Sequence, residues 1–250
     1  MGKQRADLLA VAQGLAETRA RAQALILAGK LFDGSRRIDK PGTALAETVR
    51  LSLSGPDHPW VSRGGVKLAH GLAKFALAPT GRVCLDIGAS TGGFTDVLLS
   101  QGAARVHAVD VGHGQLAWKL RSDPRVVVHE RTNARTLTQA TIGETVMALV
   151  CDASFIGLAT LLPAPLALCA PGAWAIALIK PQFEAGRDAV GSKGVVRNPA
   201  VHTEVCARIA AWWSALPGWR VLGVAPSPIT GPEGNIEFLI GAVREDGCGL

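Results

Sequence analysis

The chain has 250 residues, enough for one large domain or a small domain joined to a medium one, and 48% of them are hydrophobic, ample for a packed core. No stretch of membrane-spanning length is free of charge or proline, so no transmembrane helix is indicated, and the polar, basic opening MGKQRADLLAVAQG has too short an apolar run to read as a signal peptide. Residues 1–75 hold 12 Lys/Arg against 6 Asp/Glu, whereas residues 76–250 hold 14 of each, so the whole net charge of +6 sits in the first third and suits either a polyanion partner or a solvated basic surface.

In chain order, two helices are predicted first. One covers Ala6–Gln13 and stops at Gly14; the other is capped by Thr18, runs to Ala28 with Ala22, Leu25 and Ile26 on its apolar face, and stops at Gly29. A short strand pair at Lys30–Phe32 and Val49–Leu53 follows, with a Lys40-Pro41-Gly42 turn between. The run SGPDHP is dense in turn formers and reads as a linker, with Trp60 beside it as a stacking residue or a half-buried hinge anchor. Beyond it, a helix at Gly65–Phe75 precedes strands at 82–87, 105–109, 126–130, 145–152, 173–180, 220–225 and 236–243, with helices near 93–101, 115–121, 158–169 and 199–216. Continuous apolar strands alternating with helices imply an α/β fold with a parallel sheet covered on both faces. The loop PSPITGPEGN is too short for a crossover helix, so the last two strands should be antiparallel. The division expected is 1–55, 56–64 as linker, and 65–250. The five cysteines (Cys84, Cys151, Cys169, Cys206, Cys248) form no CxxC pair and read as reduced, mostly buried thiols of a cytoplasmic protein, with no metal.

The segment CLDIGASTGGFTDVLLSQGAARVHAVDVG puts an acid, Asp86, at the end of one apolar run and a second, Asp110, at the end of the next. Between them, Gly88, Gly92 and Gly93 with Ala89, Ser90 and Thr91 let a ligand approach the backbone. A nicotinamide site needs G-x-G-x-x-G and a phosphate-binding loop needs a lysine after its last glycine; here the run is GASTGG, followed by Phe94. S-adenosyl-L-methionine carries no phosphate but does carry a sulfonium, an ammonium and a ribose. An acid in the first turn then helps, and Asp110 can accept from the ribose hydroxyls. A purely structural glycine turn is the alternative.

Asp152 ends the fourth strand of this series, Lys180 ends the fifth, and Glu237 begins the last, which as an antiparallel strand starts at the same edge. Lys67, on the preceding helix, can reach them. Ionisable groups leaving buried strands are candidates for function, against the bland reading of solvated strand ends or helix caps. A ribose hydroxyl is protonated at neutral pH, and a lysine accepts its proton only when neutral, a form that burial and a second cation favour. Lys180 is the expected base, Lys67 the second choice, with Asp152 and Glu237 orienting them. The segment EAGRDAVGSKGVVR, with Arg187, Lys193 and Arg197, reads as a mobile basic loop over the site or as a solvated loop.

Together VSRGGVKL, DIGASTGGFTDVLL, VDVGHGQL, DPRV, ERTNAR, CDASFIGL, KPQFEAGR and GNIEFL resemble the TlyA-type family, historically called haemolysins, of FtsJ (RrmJ-like) ribosomal RNA 2′-O-methyltransferases. The resemblance covers essentially the whole chain. It implies a Rossmann-like adenosylmethionine-dependent methyltransferase sheet, preceded by a small α+β RNA-binding module shared with ribosomal proteins and pseudouridine synthases. It also implies a catalytic tetrad of Lys67, Asp152, Lys180 and Glu237. The cofactor set it implies is Asp86, Gly88, Ser90, Thr91, Gly92, Phe94, Asp110, Asn133 and Asp152, and the RNA contacts are Arg5, Arg19, Arg21, Lys30, Arg63, Arg187, Lys193 and Arg197. The partner implied is ribosomal RNA or a ribosomal subunit, with no membrane and a monomer in isolation. The nucleotide implied is a cytidine, of the large subunit, since the trimmed module and short C-terminus match the family's shorter subclass. Two departures stand out: the module's usual Arg-Leu-Asp is Arg5-Ala6-Asp7, and the family's Ser-Phe-Ile-Ser-Leu has Gly157 in place of its second serine. The competing functions are a membrane-acting cytolysin, and a non-catalytic RNA-binding assembly factor on the same fold.

Overall fold

The computed structural model describes residues 2–34, 36–53, 58–186, 189–191, 194–231 and 233–245. The chain divides into two compact units, Met1–Pro59 and Trp60–Leu250. The expected linker, 56–64, straddles that boundary; residues 54–57 lie outside the described ones, as does Cys248.

In the first unit the order is β1 (Lys3–Arg5), α1 (Ala6–Ala12), α2 (Arg19–Leu27), β2 (Leu31–Asp33), β3 (Arg36–Arg37), β4 (Ala44–Ala46) and β5 (Leu51–Leu53). Thr18 caps α2 by accepting from Arg21 N–H. The predicted pairing holds, with β2 antiparallel to β5, but β2 also takes β3, and β1 pairs with β4. Ala6, Leu9 and Ala10 of α1 meet Ala22 and Ile26 of α2 over Leu31, Leu45 and Leu51, a small core of mostly one residue per turn.

The second unit opens with α3 (Gly64–Phe75) and continues β6 (Val83–Ile87), α4 (Gly93–Ser100), β7 (Arg105–Val109), α5 (Trp118–Arg121), β8 (Val126–His129), a 3₁₀ turn (Ala134–Thr136), α6 (Gln139–Ile142), β9 (Val146–Cys151), α7 (Leu158–Leu161), α8 (Pro163–Ala167), β10 (Cys169–Ile179), α9 (Pro181–Glu184), α10 (Pro199–Ser214), β11 (Trp219–Pro226) and β12 (Phe238–Arg244). The strands form a seven-stranded sheet in the order β11-β12-β10-β9-β6-β7-β8. Neighbours from β10 to β8 are parallel, and β12 runs antiparallel to both β10 and β11, as the short loop before it requires.

Because side chains alternate along a strand, β10 feeds two cores. Ala173, Ala175, Ala177 and Ile179 face Val205, Ile209 and Trp213 of α10, while Trp174, Ile176 and Leu178 join Leu68 and Leu72 of α3 and Val97 and Leu98 of α4. Both faces are therefore covered, which is why β9 and β10 read as unbroken apolar runs. The predicted helix 158–169 is two short helices and the start of β10. Pro163 and Pro165 have no N–H to continue the ladder, so α7 ends at Leu161 and α8 restarts with Pro163 at its first position. The predicted helix 115–121 shortens to Trp118–Arg121, because Ala117 N–H bonds Thr91 O in the glycine turn and holds that stretch extended.

Candidate active site

The carboxyl ends of β9 and β10 and the start of β12 meet at one sheet edge. In the β10–β12 register Ile179 stands opposite Phe238, so Lys180 and Glu237 leave that edge side by side. Asp152 follows β9 directly, and Lys67 projects from the second turn of α3. Their charged groups form a chain. Lys67 Nζ lies 2.6 Å from Glu237 Oε2 and 3.7 Å from Asp152 Oδ2, and Lys180 Nζ lies 2.7 Å from Asp152 Oδ1. Lys180 also donates to Ser154 Oγ at 2.9 Å and to the Asp152 carbonyl at 3.2 Å. Both lysines and Glu237 are buried, while Asp152 is one-fifth exposed. The two cations and two anions cancel, which makes so dry a cluster tolerable.

This cluster lines a cavity of about 640 Å³ with Ser62, Arg63, Phe155, Phe183, Glu233 and Asn235. A second cavity of about 500 Å³ adjoins it, and Gly88, Ser90, Asp152, Ser154 and Phe155 border both. The second is lined by Asp110, Val111, Gln115, Asn133 and Ile156, the polar-and-apolar mix that a nucleoside needs. A Cβ on Gly88 would stand 2.9 Å from the Ala153 backbone, so only glycine lets the β6 turn pass beside the Asp152 segment. Ser90, at φ 48°, is held in the left-handed region by its N–H on Asp110 Oδ2, and Gly112 N–H bonds Asp110 Oδ1. Asp110 thus fixes the floor of the cavity and keeps its remaining lone pairs for a ligand. Asn133 caps the 3₁₀ turn through Arg135 N–H and faces the same cavity.

The sequence reading needs correction at several positions. Asp86 does not reach either cavity. It lies inside β6, fully buried, where Oδ2 accepts from Thr95 Oγ1 at 2.6 Å and Oδ1 has no partner. Burial pushes its carboxyl up to about 7. It therefore ties the strand to α4 under the turn. Gly92 faces Leu116 and Leu120, where any Cβ would collide, and its φ of 98° suits the turn; it lines neither cavity. Thr91 and Phe94 line the tetrad cavity, not the one with Asp110. The basic loop is not free in its described part: Val195 and Val196 are buried, and Asn235 bonds Val196 N–H and the Gly194 carbonyl at 3.0 Å each. Arg197 is exposed there, and Arg187 and Lys193 lie outside the described residues. Arg63 lines the tetrad cavity and donates to the Thr230 carbonyl. In the first unit Arg5, Arg19, Arg21 and Lys30 are all exposed.

Sequence reasoning missed three participants. Ser154 holds Lys180, and nothing in its spacing signalled that. Phe155 stands 88% exposed at the shared rim with φ 68°, its ring 5.0 Å from that of Phe183. A bulky residue in that backbone region is strained and marks a constrained site. Glu184 makes good the Gly157 departure: α7 has no side-chain cap, and Glu184 Oε1 accepts from Leu158 N–H at 2.7 Å instead. Burial raises that carboxyl. None of the described cysteines lines either cavity. Cys84, Cys151 and Cys169 are free and buried, which pushes each thiol up to about 12.

The profile of FtsJ-like methyltransferases matches residues 60–244, nearly all of the second unit. The chain belongs to the FtsJ-like methyltransferase family. It is 50% identical over 238 residues to the 16S/23S rRNA (cytidine-2′-O)-methyltransferase TlyA of Mycobacterium tuberculosis, covering 94% of this chain and 88% of that one. It is 49% identical over 240 residues to YqxC of Bacillus subtilis, a candidate rRNA methyltransferase, covering 95% and 85%. A solved chain from Streptococcus thermophilus, described as a candidate hemolysin, superposes with a TM-score of 0.76 at 43% identity, covering 98% of this chain and 90% of that one. S-adenosyl-L-methionine is the cofactor of this methyltransferase, and the residues fit it: the Asp110 cavity offers carboxylate and amide acceptors, a glycine-opened cradle and no lysine aimed at a phosphate.

Proposed function

We propose that the chain is a ribosomal RNA ribose 2′-O-methyltransferase acting in the cytoplasm on a cytidine, with the large subunit as the first substrate to test. The observation that carries this reading is the Lys67–Glu237, Lys67–Asp152 and Lys180–Asp152 chain beside the Asp110 cavity, with Asp152 on the wall between. The cofactor supplies an activated methyl group, so the chain's own residues need only prepare and align an oxygen nucleophile. Lys180 is the proposed base. As an ammonium it has three N–H groups and no lone pair; it donates to Ser154 Oγ and the Asp152 carbonyl and is ion-paired with Asp152 Oδ1. As a neutral amine it releases one of these partners and turns a lone pair to the ribose hydroxyl. Lys67, held by Glu237, keeps Asp152 oriented. Phe155 at the rim offers a face for the base of an extruded nucleotide.

The first unit, with Arg5, Arg19, Arg21 and Lys30, is proposed to bind RNA phosphates alongside Arg63 and the Arg187–Arg197 segment. No helix among the described residues is long and apolar enough to cross a membrane. The test is transfer of labelled methyl from adenosylmethionine to purified ribosomal subunits and to naked ribosomal RNA, followed by mapping of alkali-resistant linkages. Methylation of a base, or of no RNA, would overturn the proposal.

A further inference from the structure

Asp7 is fully buried in the first unit, and five donors converge on it. Arg5 contacts it in a fork, Nε to Oδ1 and Nη2 to Oδ2 at 3.0 Å each. Arg19 Nε and Gln23 Nε2 reach Oδ2 at 3.0 and 2.9 Å, and Leu8 N–H bonds Oδ1 at 3.0 Å. A carboxylate capping α1 would need only the amide, and one arginine would neutralise it. Here two arginines from separate elements are drawn to the same oxygen, and both stay about half exposed, at 46% and 54%. Two cations beside one anion leave one positive charge uncompensated. The close guanidiniums repel each other until a further single negative charge arrives.

The free edges are defined as well. Among the described residues, Arg5 spends Nε and Nη2 on Asp7 and keeps Nη1, while Arg19 spends only Nε and keeps both terminal nitrogens. Arg5 Nη1 passes over Gly42, 3.2 Å from where a Cβ would stand, so the Lys40-Pro41-Gly42 turn leaves it room. That turn is itself fixed to α1 by Asp7 N–H on the Pro41 carbonyl.

We propose that Asp7 is a positioning residue for RNA binding: it locks Arg5 and Arg19 into one constellation whose outward N–H edges receive a single backbone phosphodiester. This rests on the ribosomal RNA reading above. A phosphodiester carries the one charge the constellation lacks, and its two free oxygens match two guanidinium edges.

The test is binding of the full chain to a ribosomal RNA transcript across a salt series, for Arg19→Lys, Asp7→Asn, the Arg5→Ala/Arg19→Ala pair, and the triple variant. Arg19→Lys keeps the charge but not the fork, and should lose about tenfold in affinity, the scale of a charge-assisted hydrogen bond. Asp7→Asn should lose about tenfold alone but less than about twofold in the double-alanine background, because its effect passes through the two arginines. Its log–log salt slope should be shallower by about one phosphate's worth. An equal loss from Asp7→Asn in both backgrounds would show a role in the fold alone and overturn the proposal. So would wild-type affinity in Arg19→Lys, which decides the matter by itself if Asp7→Asn fails to fold. Absence of RNA binding by the unaltered chain would instead overturn the RNA reading, and this proposal with it.

Discussion

Lys67 and Lys180 stand on either side of one carboxylate, and this sharing sets what each substitution should do. Lys180→Ala removes the proposed base and should lower single-turnover methyl transfer ~10²–10⁴-fold. Calorimetry should show adenosylmethionine affinity nearly unchanged, since Lys180 lines the tetrad cavity and not the Asp110 one. Near-normal turnover would remove Lys180 from the chemistry. Asp110→Ala should weaken the cofactor by about 1–3 kcal/mol, part of it through loss of the Ser90 and Gly112 anchors; unchanged affinity would move the cofactor elsewhere. Asp86 should act on stability instead. Its carboxyl, raised to about 7 by burial, binds a proton in the folded chain between the ordinary carboxylate range and neutrality, where the unfolded chain has none. Folding therefore loses stability as pH rises through that window and levels off above it. The melting-temperature advantage of Asp86→Asn over wild type should grow from pH 4 to about 7, and a pH-independent difference would contradict the assignment. The acids were legible in sequence as strand-end residues, but not which of them was covered. Asp86 and Asp110 follow similar apolar runs, and only the path of α4, which brings Thr95 over Asp86, distinguishes them.

Elements with a full period of burial were readable, and those held by tertiary bonds were not. β7 was placed at Arg105–Val109 from its apolar run alone, and the antiparallel β11–β12 pair followed from loop length. β1 (Lys3–Arg5) and β3 (Arg36–Arg37) are short and wholly polar and so carry no apolar signal, and β4 is three residues long; all three are missing from the sequence reading. The short helices α6 and α9 likewise lack a repeat. The bonds that organise the rim, Glu184 to Leu158 and Asn235 to Val196, join residues 26 and 39 positions apart and leave no local trace. The α10 helix shows what the readable pattern supports. Trp213 is fully buried against the β10 face and meets Trp219 edge-on at 6.1 Å. Trp213→Ala should cost about 3–5 kcal/mol in denaturant unfolding. A loss under about 1 kcal/mol would mean that side of the sheet is not closed by α10 as described.

Taken over the whole chain, the basic excess is not confined to the first unit. Residues 1–59 hold nine Lys/Arg and six Asp/Glu, an excess of three. The remaining three come from Arg63, Lys67 and Lys74 within residues 60–75, where there is no acid. Lys67 is spent on Glu237 and Asp152, and Arg63 lines the tetrad cavity. The second unit therefore keeps cationic surface of its own, so the two units should divide the RNA contact between them. Removing residues 1–59 should then weaken binding to ribosomal RNA and flatten its salt dependence without abolishing it, because fewer counterions are released when fewer phosphates are contacted. Adenosylmethionine affinity should survive, since every residue lining the Asp110 cavity belongs to the second unit. Methyl transfer at saturating RNA should survive for the same reason, with the loss appearing at low RNA concentration as a raised KM. Binding isotherms at several salt concentrations, beside calorimetry and saturating-substrate rates, separate the possibilities. An unchanged salt slope would assign the RNA contact to residues 60–250 alone. A lost cofactor affinity would show instead that the second unit does not stand without the first.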